Sequence, residues 1–183
     1  GQLGVLTWHT KPENLELTIE ILEKVATRYK NHKALWGMQV LNEPHMTYEI
    51  PFMEKFYNEA YTQLRKVLKP ETEIVFHDAF RAKAWKPFLS DKKNVILDLH
   101  LYQNFDEKFH NGGLEYNVKY PLEAYTAMLK EISSYTRCII GEWSLGLHPK
   151  NFDKLDDFNK ILGLRAFGAT QLMVFEKTYG WVF

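Results

Sequence analysis

Leu35-Trp36-Gly37-Met38-Gln39-Val40-Leu41-Asn42-Glu43-Pro44 reads as a short apolar strand that stops on a carboxylate. Pro44 lacks a backbone N–H and biases Glu43 toward extended backbone, so neither a helix nor a central strand is expected to run past it. An Asn and a Glu then stand where a buried strand meets a loop, which is where barrels of alternating strands and helices carry their chemistry. Alternation alone puts Asn42 and Glu43 on opposite faces. If both serve one site, the strand must bulge or twist at its end.

On the N-terminal side, Leu15, Ile19, Leu22, Ala26 and Tyr29 repeat with helical period, and Pro12 suits the start of that helix. Asn31-His32 closes it. On the C-terminal side, Pro51 introduces a second helix with Met53, Phe56, Tyr57, Ala60, Leu64, Val67 and Leu68 on one face, and Pro70 stops it. Glu73 to Ala79 reads as a strand, followed by a short helix around Trp85 and Phe88. Asn94 to Tyr102 is the next strand. Val95, Leu97, Leu99 and Leu101 fall on one of its faces, and Ile96, Asp98, His100 and Tyr102 on the other. Polar side chains on a buried strand need partners and a polar interior to face. An Asn111-Gly112-Gly113 turn leads to a helix predicted from Pro121 to about Tyr135. Arg137 to Trp143 is a strand that again runs into a carboxylate, Glu142. A helical region from about Phe152 to Lys177, interrupted at Gly163 and Gly168, precedes the start of a fifth strand at Gly180–Phe183.

Helices and strands alternate with no hairpin signals, which predicts a parallel sheet with crossover helices. No Gly-rich phosphate loop follows any strand, which argues against a nucleotide-binding fold. A (β/α)8 TIM barrel puts its functional residues at the C-terminal strand ends, where Glu43, His100, Tyr102 and Glu142 lie. Such a barrel needs eight strands and roughly 250 residues, whereas this chain has 183 residues and about five strands. The fold class is therefore α/β, an incomplete TIM barrel. Without internal repeats or linkers, residues 1–183 are expected to form one partial domain.

Lys+Arg and Asp+Glu balance at 23 each, so no nucleic acid or anionic membrane is expected as a partner. No run approaches the ~18 apolar residues of a membrane span. Cys138 is the only cysteine; it lies in an apolar run and is read as a packing residue. No charged-then-apolar leader opens the chain, and its first residue is Gly1 rather than Met. The seven His show no His-x-x-x-His spacing, so no metal and no cofactor is expected.

Glu43 and Glu142 are the two carboxylates that directly end apolar strands. Retaining glycosidases use two carboxyls about 5–5.5 Å apart, one protonated as general acid and one ionised as nucleophile. Taken singly, each residue has an ordinary explanation: a Glu at a strand end as a solvated loop residue, His100 as a bonded core histidine, and Tyr102, Trp8, Trp36, Trp85 and Trp143 as packing. Their joint occurrence at successive strand ends is what points to a site.

These residues carry a resemblance. Leu41-Asn42-Glu43-Pro44 resembles the acid/base signature of glycoside hydrolase family 5, the cellulase-like retaining enzymes on a (β/α)8 barrel. His100-Leu101-Tyr102 resembles its His-x-Tyr, and Gly141-Glu142-Trp143-Ser144 its nucleophile motif. Ala34-Leu35-Trp36-Gly37, Asp78-Ala79-Phe80, Tyr102-Gln103-Asn104-Phe105 and Tyr179-Gly180-Trp181-Val182-Phe183 are similar to the exo-β-1,3-glucanase branch of that family.

The resemblance implies that Glu43 is the general acid/base, with Asn42 bonding the sugar 2-hydroxyl, and that Glu142 is the nucleophile. Tyr102 would hold Glu142 by a hydrogen bond and His100 would line the same subsite. Phe105 would stack on the leaving sugar, with Phe80 either stacking similarly or simply packing. The implied activity is hydrolysis of a β-linked oligo- or polysaccharide, with β-1,3-glucan and exo action favoured, at an extracellular or cell-surface location. The match covers strands four to seven and the start of eight. Such a piece is expected to pair with another chain or copy to cover its open edges. The alternative is a catalytically inactive carbohydrate-binding half-barrel.

Overall fold

Pro12 in the first turn and the spacing of Ile19, Leu22 and Ala26 produce α1, Pro12–Tyr29, as the period predicts. The structure is a computed structural model describing residues 7–183. Residues 1–6, part of the stretch expected to be irregular, lie outside the described residues, and Trp8–Thr10 form a 3-10 turn. The chain divides into two compact units inside one strand, the first ending at Ile96 and the second running from Leu97 to Phe183.

In the first unit, β1 (Gly37–Gln39) pairs in parallel with β2 (Glu73–His77), in the register Gly37↔Glu73, Met38↔Ile74, Gln39↔Val75. Between them α2 (Ile50–Val67) buries Met53, Phe56, Tyr57, Ala60 and Leu64. Every residue of β2 is buried, as expected for a parallel strand covered on both faces. The core is aromatic: Tyr57 lies 4.7 Å from Phe76 and 5.2 Å from Trp85 between ring centroids. A 3-10 turn (Ala82–Trp85) and α3 (Lys86–Leu89) lead to β3 (Val95–Leu101), and the Ile74 N–H donates to Asn94 O at 3.0 Å. The strands follow one another in chain order. Arg65 bonds Thr72 O at 2.8 Å and Asn94 O at 2.6 Å, tying down the entrances to β2 and β3.

Three expectations fail here. The strand predicted over residues 35–43 is only three residues long; Val40 N still donates to Val75 O, and then the backbone leaves the sheet. Glu43 sits in the following loop at φ 42°, a left-handed conformation rather than the extended one that Pro44 predicts. Tyr29, predicted on the buried face of α1, is exposed, and so is a second apolar stripe, Leu17, Ile21 and Val25.

In the second unit, β3 leads through α4 (Glu107–Asn111) to α5 (Gly113–Tyr120), a π-helical turn (Pro121–Tyr125) and α6 (Thr126–Ile132). The helix predicted to begin at Pro121 thus begins at Gly113. Proline disrupts a regular helix, and here it stands at the head of a wider turn that absorbs the missing N–H. β4 is Arg137–Trp143, as predicted. Beyond a 3-10 turn (Pro149–Phe152), α7 runs unbroken from Asp157 to Phe175, begun by Asp156 accepting the Asn159 N–H at 2.8 Å.

Gly163 and Gly168 therefore do not interrupt this helix. A Cβ at 163 would overlap Leu114, and one at 168 would stand 3.0 Å from Leu145 Cδ2. They mark close approach to neighbours, a signal that reads from sequence like a helix break. Phe158, Ile161, Leu162 and Met173 of α7 are exposed. The fifth strand exists as one parallel bridge, Ile140↔Trp181, with Ile140 N donating to Gly180 O and Val182 N to Ile140 O.

Candidate active site

Period-two geometry carries Asp98, His100 and Tyr102 along one face of β3, as the sequence predicts. Tyr102 follows the last strand residue, and its hydroxyl donates to Glu142 Oε2 at 2.8 Å. His100 Nδ1 stands 3.4 Å from the same oxygen, and His100 Nε2 stands 3.3 Å from Asp98 Oδ2. Asp98 Oδ1 accepts the Gly141 N–H at 2.8 Å. The Asp98 and His100 side chains are both 2% exposed, whereas that of Glu142 is 41% exposed. A buried polar row thus ends on a carboxylate that solvent can reach. Both contacts on Glu142 go to Oε2, and Oε1 has none among the described residues. The Tyr102 hydrogen bond and the neighbouring ring fix the orientation of the carboxylate.

Phe105 is 77% exposed, with its ring edge-on to Tyr102 at 5.9 Å. Its loop is not loose. The fully enclosed Gln103 donates to Asn117 O at 2.9 Å, and Asn117 donates to Phe109 O at 3.0 Å and Asn151 Oδ1 at 3.0 Å. Asn151 in turn donates to His148 O at 2.9 Å. An exposed ring on a loop anchored by buried amides is a preorganised contact surface. Sequence reasoning passed over Asn117 and Asn151. Their only signal is that polar residues occur inside helical segments, and that signal does not name a partner.

In the first unit, Asn42 and Glu43 are both exposed and Pro44 is buried, in the loop after β1. The strand ends early and Glu43 takes a left-handed φ, a departure from plain alternation of the kind that a shared site for both residues would need. After β2, Ala79 and Phe80 take φ of 50° and 58°. Such conformations are uncommon for non-glycine residues and cluster at functional loops. Two local bonds hold the turn: Ala79 N donates to His77 Nδ1 and Phe80 N to Asp78 Oδ1, each at 2.9 Å. Phe80 is 45% exposed with its edge toward His77 at 5.2 Å, so it is not a core residue.

The structure thus brings His100, Tyr102 and Glu142 into direct contact, with Phe105 beside Tyr102. It places Asn42, Glu43 and Phe80 on loops that follow β1 and β2. The tryptophans divide: Trp85 and Trp143 are core, the latter packed edge-on to Phe175 and Trp181, whereas Trp36 is exposed. Cys138 is buried, and burial pushes its thiol up to about 12, as suits a packing residue.

A parallel sheet with flanking helices, bearing a phenol, an imidazole and a carboxylate where strands end, is the chemistry-bearing side of a (β/α)-barrel. Residues 5–171 match the model of the Cellulase family (glycosyl hydrolase family 5), and the chain belongs to that family. It is 30% identical over 143 residues to the glucan 1,3-beta-glucosidase of Lachancea kluyveri, covering 74% of this chain and 32% of that protein. It is 29% identical over 167 residues to glucan 1,3-beta-glucosidase I/II of Saccharomyces cerevisiae, covering 85% and 34%. The chain spans about a third of the length of these relatives. Among solved structures it resembles Thermotoga maritima Cel5A in complex with cellobiose, with a TM-score of 0.63, 16% identity and coverage of 97% of this chain and 61% of that one. It also resembles endo-glycoceramidase II from Rhodococcus sp., with a TM-score of 0.56, 16% identity and coverage of 86% and 40%. At such identity the likeness speaks for the fold alone. No helix among the described residues is long and apolar enough to cross a membrane.

Proposed function

We propose that the chain carries the catalytic carboxylates of a retaining β-glycoside hydrolase that acts on β-glucan, β-1,3-linked and attacked from the chain end. The observation that carries this reading is the clamp on Glu142: Tyr102 and His100 both address Oε2 and leave Oε1 open. Oε1 attacks the anomeric carbon while Glu43 protonates the departing glycosidic oxygen, and a glycosyl-enzyme ester forms. Glu43, now ionised, takes a proton from water, whose oxygen attacks the same carbon and releases Glu142. Each displacement inverts the centre, so the product keeps the β configuration. Asn42 bonds the sugar 2-hydroxyl, where interactions strengthen in the transition state. Phe105 and Phe80 supply exposed aromatic faces for sugar rings.

In the full-length protein, Glu142→Gln should lower turnover of an activated aryl β-glucoside by at least roughly a thousandfold. Azide should restore turnover in Glu142→Gly and give the α-glycosyl azide. Unaltered turnover in the Gln variant overturns the assignment. Glucose as the sole first product from a β-1,3-oligosaccharide supports exo action. The exposed rings of Phe105 and Phe80 also suit a second reading, a carbohydrate-binding protein without chemistry. Glucan binding without hydrolysis by the protein would select it.

A further inference from the structure

Asp98 has no step in the mechanism above, yet both of its oxygens lead to Glu142. A carboxylate this deeply buried must find partners for its charge. One oxygen accepts the N–H of Gly141, the residue immediately before Glu142. The other stands 3.3 Å from His100 Nε2, and His100 presents Nδ1 to Glu142 Oε2 at 3.4 Å. One arm thus acts on the backbone that carries Glu142, and the other on the ring that faces its side chain. The fit is close, because a Cβ at 141 would overlap the Asp98 carboxylate.

We propose that Asp98 is a positioning residue that keeps a proton on His100 Nε2, locks the ring in the plane that turns Nδ1 to Glu142, and pins β4 one residue before Glu142. The two imidazole nitrogens are distinct, and the group facing one of them decides which carries the proton. An ionised acceptor 3.3 Å from Nε2 favours N–H there and locks the ring plane, as a carboxylate behind a metal-ligating histidine does. The effect on turnover rests on the reading of Glu142 as nucleophile. The tautomer does not.

The informative variant is Asp98→Asn. Its amide oxygen can still accept from Gly141 N–H, but its NH2 now faces Nε2 and calls for a lone pair there. In full-length protein labelled with 15N-histidine, His100 Nε2 should read as protonated in the wild type and as unprotonated in Asp98→Asn, with the resonances assigned by their loss in His100→Ala. Turnover should fall roughly ten- to a hundredfold with KM within twofold. Asp98→Asn combined with His100→Ala should be no slower than His100→Ala alone, since contacting residues that act through one another are not additive. A wild-type spectrum with Nε2 unprotonated overturns the proposal without any variant. So does an Asn variant whose loss adds in full to that of His100→Ala. If Glu142→Gln retains turnover, the functional reading fails, while the nitrogen spectrum still decides the role of Asp98.

Discussion

Glu142 is set by β4, a seven-residue strand, and its Oε2 is addressed by Tyr102 and His100, whereas Glu43 is set by a turn four residues beyond the three-residue β1. The first carboxylate is oriented by the Tyr102 hydroxyl donating to one oxygen, with the His100 ring beside the same atom. The direction of the second depends on a left-handed φ of 42° ahead of a buried Pro44. The difference matches what the proposed chemistry asks of each. A nucleophile must present one ionised oxygen in a fixed place, and a donor fixed at the end of a packed strand supplies that. A proton carrier must meet first a leaving oxygen and then a water, and an exposed loop position gives it access to both.

The largest expected effect tests this division from the loop side. Glu43→Ala should cost roughly 10²–10⁴ in turnover for a glucoside with a poor leaving group. With an activated aryl leaving group, which departs without a proton, glycosylation should slow much less. Equal losses on both substrates would mean that Glu43 is not the proton donor. From the strand side, Tyr102→Phe removes one hydrogen bond to a charged acceptor, worth about 1.5–3 kcal/mol, and should lower kcat/KM by roughly ten- to 150-fold with folding intact. A full rate in that variant would break the clamp. The smallest effect concerns stability. Gly141→Ala forces a methyl against Asp98 and should cost about 1–3 kcal/mol in urea denaturation. Asn42→Ala, on the exposed loop, should stay within about 0.5 kcal/mol. Similar costs at both positions would erase the contrast between a packed strand and an open turn.

Much of the fold is legible where signals are local. The helical period and Pro12 predict the bounds of α1, the run from Arg137 to Trp143 predicts β4, and alternation along β3 places Asp98, His100 and Tyr102 on one face. Punctuation misleads where tertiary neighbours override it. Pro121 opens a π-helical turn within a longer helical run, and Gly163 sits inside α7 because Leu114 leaves no room for a side chain.

The sequence by itself determined the family motifs, the strand–helix rhythm and which two glutamates end apolar runs, because spacing and residue type are properties of short stretches. Only the tertiary structure decided how those glutamates are held. The Tyr102 bond to Glu142, the Gly141 bond to Asp98 and the amide network behind Phe105 all join residues far apart in the chain. The turn at Glu43 is local but runs against the extended bias that Pro44 imposes, so short-range preference pointed the other way. A hydrogen bond or a close contact needs a partner at a set distance, and that distance exists only once the strands have packed.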